Sequence, residues 1–129
     1  MGNLEIKLKK RLDMKSAIVI DDDEDIVRVF SYLLEQKQVK VVGKGYSGKD
    51  AVELYEKEHP DIVFLDVMMP DGNGIYAIKK IKEINQNAKI VAVTADDRSL
   101  TQEKLEELDI FAIVHKPFEI KKIIQIIEN

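Results

Sequence analysis

Short apolar runs and helix-like segments alternate along the chain. The runs occupy residues 17–20, 39–42, 62–65, 90–93 and 111–114. Four of them are continuously apolar, which is typical of parallel strands that helices cover on both faces. Lys40 interrupts the second run, and a charged residue inside a strand favours a position at the edge of a sheet. The pattern therefore predicts five strands, the second of them at an edge.

The segments that follow the runs repeat apolar residues every three or four positions, as the buried face of a helix does. The repeating residues are Ile26, Phe30, Leu33 and Leu34, then Ala51, Leu54 and Tyr55, then Ile75, Ile78 and Ile81, and finally Ile120, Ile123, Ile124 and Ile127. A weaker pattern before the last run consists of Leu100, Leu105 and Leu108. Five strand–helix units in alternation predict an α/β fold with a doubly wound parallel sheet.

Composition limits the class of protein. A length of 129 residues suits one domain, and a content of 45% hydrophobic and 34% charged residues is typical of a globular chain. The net charge of -4 disfavours direct nucleic-acid binding, which needs a basic face. The absence of cysteine excludes disulfide and thiol chemistry. No apolar run approaches the roughly 18 residues of a membrane span, so we expect a cytoplasmic protein.

The first 15 residues lie outside the alternating pattern, and the predicted domain covers residues 16–129. The stretch MGNLEIKLKKRLD is consistent with an expression-vector or start-site extension, with Met14 as the natural start. The alternative is a short amphipathic segment whose leucine and isoleucine side chains pack on a neighbouring chain or an anionic surface. The sequence leaves both interpretations open.

Polar residues follow four of the five predicted strands. They are Asp21 and Asp22 after the first run, Asp66 after the third, Thr94 after the fourth and Lys116 after the fifth. In a doubly wound sheet, ligands bind outside the carboxyl ends of the strands. Because these ends share one edge, we expect three carboxylates, a hydroxyl and an amine to converge there.

This set of side chains favours phosphoryl chemistry. Gathered carboxylates suit Mg²⁺, which takes one or two carboxylates, several waters and a phosphate oxygen. A carboxylate can attack phosphorus to form an aspartyl phosphate, while an amine and a hydroxyl stabilise the phosphoryl oxygens. The acids that continue the run, Asp23, Glu24 and Asp25, more simply open the first helix, where carboxylates complement the helix dipole. We therefore predict a magnesium-dependent phosphoryl site at the strand ends.

Four motifs in order, VIDDDEDI, DVMMPDGNG, VTAD and KPF, resemble the receiver domain of two-component response regulators over residues 17 to 128. The resemblance implies a flavodoxin-like (βα)5 fold with strand order 2-1-3-4-5. It implies that Asp66 is the phosphoacceptor and that Asp21 and Asp22 are the acidic pair of the metal site. Asp22 and Asp66, together with the backbone carbonyl of Met68, would ligate Mg²⁺.

The resemblance also implies how the site is used. Thr94 and Lys116 would contact the phosphoryl group, and a cis peptide bond is expected between Lys116 and Pro117. The implied phosphodonor is a histidine kinase or a histidine phosphotransfer protein, with small acyl phosphates as substitutes. The implied output is altered binding of a downstream protein, or of a second copy in a homodimer, through the face of helix 4, strand 5 and helix 5. Because the sequence stops after the fifth helix, a chain that is whole would signal by docking.

One position departs from the family pattern. Receivers carry Tyr or Phe three residues before the lysine, an aromatic that turns inward on activation, and this chain has Ile113 there. Thr94 and Ile113 are therefore the predicted switch residues, and Ile113 keeps open the alternative of a pseudo-receiver that no longer switches.

A second alternative is a Mg²⁺-dependent phosphohydrolase similar to haloacid dehalogenases. Those enzymes carry a second Asp two residues after the nucleophile as general acid, whereas this chain has Met68 at that position. The absence of that acid favours a signal receiver over an enzyme.

Overall fold

A five-stranded parallel sheet forms the centre of the fold. The computed structural model describes residues 15–69, 73–95 and 99–128. The strands are β1 (Ser16–Ile20), β2 (Lys40–Gly45), β3 (Ile62–Asp66), β4 (Ile90–Thr94) and β5 (Ala112–His115). Their order is β2-β1-β3-β4-β5, and every neighbouring pair is parallel. The doubly wound α/β fold and the strand order 2-1-3-4-5 are confirmed, with β2 at an edge.

Within the described ranges, helices cover both faces of this sheet. They are α1 (Glu24–Gln36), α2 (Gly48–Glu58), α3 (Asn73–Ile84), α4 (Ser99–Glu107) and α5 (Ile120–Glu128). Alternate residues of a strand point to opposite faces. In β1, Ile18 and Ile20 pack with α2, α3 and α4, whereas Ala17 and Val19 pack with α1 and α5. Because both faces are buried, the inner strands have no polar alternation, and this explains the continuous apolar runs.

The first described strand begins at Ser16, and the predicted extent of the domain, residues 16–129, stays a prediction. Lys15 is the first described residue, and its carbonyl accepts a hydrogen bond of 2.8 Å from the N–H of Lys40. Residues 1–14 and residue 129 lie outside the described residues. The interpretation of the N-terminal extension therefore stays a prediction.

A polar side chain begins α1 as its sequence indicates. The Asp23 carboxylate accepts hydrogen bonds from the N–H groups of Asp25 (2.9 Å) and Ile26 (3.4 Å), so Asp23 is the N-cap of α1. Glu24 and Asp25 lie in the first turn, where the positive end of the helix dipole stabilises carboxylates. The expected role of these three acids is confirmed, and the acid run divides after Asp22.

Strand β2 extends three residues beyond the predicted run. Its pairing with β1 skips Val42 between the partners of Ala17 and Ile18. A Cβ atom at Gly43 would lie 2.8 Å from Cδ2 of Leu54, so α2 approaches the strand closely there. Glycine is a weak strand former, and the sequence prediction therefore ended this strand too early.

Strand β5 begins one residue later than predicted. Phe111 precedes the strand and is 41% exposed, and the Lys89 ammonium lies 5.2 Å from the centroid of its ring. The N–H of Phe111 donates to the carbonyl of Ile90 at 2.9 Å. The aromatic residue of this run is therefore a surface residue at the far end of the strand from the predicted site.

Candidate functional site

The carboxyl ends of the strands bring the predicted site residues to one edge of the sheet. Asp21 directly follows β1, Asp66 and Thr94 are the last residues of β3 and β4, and Lys116 directly follows β5. Asp21, Asp66 and Thr94 are 4%, 5% and 0% exposed. Among the described residues, the only other buried side chain that is polar and not aromatic is that of Ser31. Burial of polar groups is therefore concentrated at this edge, where it has a large electrostatic effect.

Lys116 provides the counter-charge for both buried carboxylates. Its Nζ atom lies 2.7 Å from Oδ2 of Asp21 and 3.5 Å from Oδ2 of Asp66. Its backbone N–H donates to the carbonyl of Thr94 at 2.8 Å, which attaches the segment after β5 to the end of β4. The Lys116–Pro117 peptide bond is cis, as expected.

The Asp66 carboxylate is held by its own loop. Its Oδ1 atom accepts a hydrogen bond from the N–H of Met68 at 3.0 Å, which leaves Oδ2 beside Lys116. The start of α3 presses against this loop, because a Cβ atom at Gly74 would lie 2.6 Å from the Cα atom of Val67. Residues 70–72, between Met69 and α3, lie outside the described residues.

The environment of the site changes the pKa of two groups. Burial raises the pKa of Asp66, and the Asp21 charge raises it further, while the Met68 N–H and Lys116 oppose the rise. For Lys116, burial lowers the pKa, but its hydrogen bond to Asp21 and the charges of Asp66 and Asp21 together outweigh burial and raise it. Repulsion between the clustered acids is therefore a smaller cause of the raised Asp66 pKa than burial.

Three carboxylates are close enough to share a cation. Single carboxylate oxygens of Asp21, Asp22 and Asp66 all lie within 4.8 Å of one another. Asp22 is exposed, whereas the other two are buried, so this cluster opens to solvent on the Asp22 side. A hard oxygen-donor set that is open to water fits Mg²⁺, which retains several waters in its shell. Asp23, Glu24 and Asp25 lie outside this group.

The two predicted switch residues share one face of the sheet. Ile113 pairs with Ala92, and Thr94 is the next residue of β4 that points to the same side. Ile113 is partly buried and packs against the core of α2, α3 and α4, which includes Leu105 of α4. An aliphatic side chain therefore packs at this position of β5, against the core on the Thr94 side of the sheet.

An apolar cleft beside Lys116 was not predicted. This α1 cleft has a volume of about 690 Å³ and lies between α1 and the segment after β5. It is lined by Asp25, Ile26, Val29, Phe30, Leu33, Ala95, Lys116, Pro117 and Phe118. Helical spacing placed Ile26 and Leu33 in the core, but the buried face of α1 is rotated toward Val27 and Ser31. The rotation leaves Ile26 and Leu33 at the wall of the cleft.

No helix in the described part of the chain is long and apolar enough to cross a membrane.

Comparison with known proteins identifies similar chains. The family model for the response regulator receiver domain matches residues 17–128. The chain is 30% identical over 111 residues to the chemotaxis protein CheY of Thermotoga maritima, covering 86% of this chain and 92% of that protein. It is 34% identical over 117 residues to the sensory transduction protein LytT of Bacillus anthracis, covering 90% of this chain but only 47% of LytT.

A solved structure shows the same fold. The structure is the CheX–CheY–BeF3–Mg complex from Borrelia burgdorferi, and the chain superposes on it with a TM-score of 0.82 at 22% identity. The superposition covers 88% of this chain and 86% of the other.

Proposed function

This chain belongs to the response regulator receiver family, and on that premise we propose that it switches protein partners when Asp66 accepts a phosphoryl group from a phosphohistidine. The donor is a histidine kinase or a histidine phosphotransfer protein. The observation that carries the proposal is the Asp66 carboxylate, which is buried at a strand end, oriented by the Met68 N–H and faced by Lys116. Receivers are signalling switches rather than conventional enzymes, and this chain has Met68 where a dehalogenase-like hydrolase needs its acid.

The buried carboxylate is suited to nucleophilic attack. Its raised pKa makes the ionised group a stronger base than an exposed aspartate, while the Met68 hydrogen bond leaves Oδ2 to react. That oxygen forms a bond to phosphorus as the bond from phosphorus to the donor imidazole nitrogen breaks. Lys116 and the Thr94 hydroxyl then stabilise the new phosphoryl oxygens.

The acidic cluster supplies the proposed magnesium site. Asp21, Asp22 and Asp66, with the backbone carbonyl of Met68, would hold the ion. Bound Mg²⁺ supplies positive charge for the oxygens of the transferred group.

The output is proposed to pass through Thr94 and Ile113. Movement of Thr94 toward a phosphoryl group on Asp66 would loosen the core at the end of β4, where Ile113 of β5 packs against the cluster that contains Leu105 of α4. Because Ile113 is β-branched and has stiff χ1 preferences, we expect a small rearrangement of α4. The face of α4, β5 and α5 would then bind a downstream protein or a second copy of the chain.

Phosphorylation by acetyl phosphate and Mg²⁺, followed by intact mass, tests the proposal. The wild type should gain one phosphoryl group, Asp66→Asn should gain none, and Asp25→Asn should be labelled like the wild type. Labelling that survives Asp66→Asn would contradict the assignment.

Amide NMR shifts with beryllofluoride distinguish a working switch from a pseudo-receiver, the alternative that Ile113 keeps open. A switch predicts changes through α4 and β5. Changes confined to the loop after Asp66 would support a module that no longer switches.

The cytoplasmic location expected from the sequence stays a prediction.

A further inference from the structure

The α1 cleft and the proposed phosphoryl site share one residue, Lys116. Lys116 and Ala95 line the cleft, and the Lys116 Nζ atom is the one that contacts Asp21 and Asp66. We propose that this cleft binds the alkyl chain of acyl phosphates, so that the chain uses longer acyl phosphates as direct phosphodonors in preference to acetyl phosphate. The inference rests on Asp66 being the phosphoacceptor.

The shared lysine is the reason to place the acyl group in the cleft. In an acyl phosphate, one bridging oxygen separates phosphorus from the acyl carbon. The proposed binding mode places the phosphoryl group at the Lys116 ammonium and the acyl carbon toward the cleft, because the lining of the cleft includes the same lysine. The chain beyond that carbon can extend along α1 without leaving contact with protein.

The lining of the cleft selects the chemistry of the occupant. Ile26, Val29 and Leu33 form the α1 side, and Phe118 faces them, with its ring 5.2 Å from that of Phe30. Val29 is 54% exposed, so this apolar surface is open to a ligand. Burial of a methylene group contributes about fourfold in binding when it is complete, and an open cleft retains part of that.

The lining of the cleft disfavours acyl chains that carry a second acidic group. Besides Lys116, the charged residue in the lining is Asp25, whose carboxylate is paired with Arg28 at 2.6 Å on the surface. A carboxylate on the acyl chain would lose its hydration in an apolar surrounding, where the lining cation, Lys116, is already paired with Asp21. The preferred donor is therefore an uncharged alkyl acyl phosphate.

The transfer step balances without another reactant. An Asp66 carboxylate oxygen forms a bond to phosphorus, and the bond from phosphorus to the bridging oxygen breaks. The leaving group departs as the fatty carboxylate, which carries the negative charge that Asp66 has lost.

The test compares initial rates of Asp66 phosphorylation by acetyl phosphate and hexanoyl phosphate with Mg²⁺, measured by intact mass. We expect hexanoyl phosphate to react about tenfold faster at equal subsaturating concentration, from partial burial of its four additional methylenes. Val29→Asn should lower this ratio by about threefold or more and leave the acetyl phosphate rate unchanged. Ile84→Asn is the matched control, because Ile84 is an exposed aliphatic at the end of α3, outside the cleft.

The outcomes separate the inference from the proposed function. Equal rates for the two donors, or a ratio that Val29→Asn does not change, would overturn the inference and leave the cleft to a protein partner. Failure of both donors to label the wild type would overturn the assignment of Asp66 as well. An equal fall of the ratio in Ile84→Asn would show a general loss of structure and would also count against the cleft.

Discussion

Lys116 forms its shorter ion pair with Asp21 rather than with the proposed phosphoacceptor: Nζ lies 2.7 Å from Oδ2 of Asp21 and 3.5 Å from Oδ2 of Asp66. Both carboxylate side chains are 6% exposed. One ammonium thus faces two buried negative charges. The excess negative charge gives a cation a place to bind and gives the first three predictions their physical basis.

Lys116→Met should destabilise the metal-free protein by about 3 kcal/mol near neutral pH, because two buried carboxylates lose their counter-charge. Urea unfolding in the presence of a chelator measures this loss. Added Mg²⁺ should recover part of it by binding the folded state. Lys49→Met is the control: its ion pair with Glu53 is on the surface at 4.0 Å and should contribute under about 1 kcal/mol. Equal losses in the two variants would contradict the prediction.

Asp66→Asn should make the metal-free protein more stable at pH 7. Burial and the Asp21 charge raise the pKa of Asp66 above its ordinary value of 3.8, so the folded state binds this proton more tightly than the unfolded chain. Stability from this group is therefore present at low pH and is lost as pH rises through the folded pKa. The advantage of the asparagine variant should shrink as pH falls toward 3.8. Urea midpoints of the wild type and the variant between pH 7 and pH 4 measure this difference in stability. A variant that is less stable than the wild type at pH 7 would refute the prediction.

Asp22→Ala should abolish the stabilisation that Mg²⁺ confers, while Asp25→Ala should retain it. Asp22 belongs to the carboxylate cluster, whereas Asp25 is exposed and paired with Arg28. Thermal unfolding with and without Mg²⁺ measures the shift, which follows from binding to the folded state. Equal loss in the two variants would mean that the acid run acts as a whole and does not divide after Asp22.

Ser31→Ala should stabilise the protein by about 1 kcal/mol. The Ser31 hydroxyl is buried in α1 and has no hydrogen-bond partner among the described residues, and alanine is also the better helix former. Ser47→Ala is the matched control, because the Ser47 hydroxyl caps α2 through the N–H of Asp50 at 3.1 Å. Loss of that cap should cost about 1 kcal/mol. The denaturant midpoint should therefore rise for Ser31→Ala and fall for Ser47→Ala, although both variants replace serine with alanine.

Gln38→Gly should stabilise the protein by about 1 kcal/mol, since Gln38 follows α1 with a φ of 67°, a conformation that costs a residue with a Cβ atom about that much. Lys37→Gly tests the explanation, because Lys37 has a φ of -99° and gains nothing from glycine. Its unfolding free energy should fall or stay unchanged. A similar gain at both positions would point to a cause other than backbone strain.

The sequence by itself was sufficient for the fold and for the membership of the site. Apolar runs with no polar alternation occur when helices cover both faces of a sheet, so the runs predicted the parallel arrangement. Parallel strands end at a common edge, so Asp21, Asp66, Thr94 and Lys116 could be assigned to one site without coordinates. Asp23 and Asp25 could be separated from that site because capping depends on neighbours only two or three positions away.

Tertiary structure alone decided how those groups interact. Lys116 and Asp21 are 95 positions apart in the sequence. The preference of Lys116 for Asp21 over Asp66 depends on a difference in distance of less than 1 Å, which no local pattern contains. The α1 cleft was missed because helical spacing defines a stripe but not its rotation against the sheet. Because Val27 and Ser31 pack into the core, Ile26 and Leu33 lie at the wall of the cleft. Periodicity is a property of one segment, whereas rotation, register and ion-pair choice follow from the simultaneous packing of several.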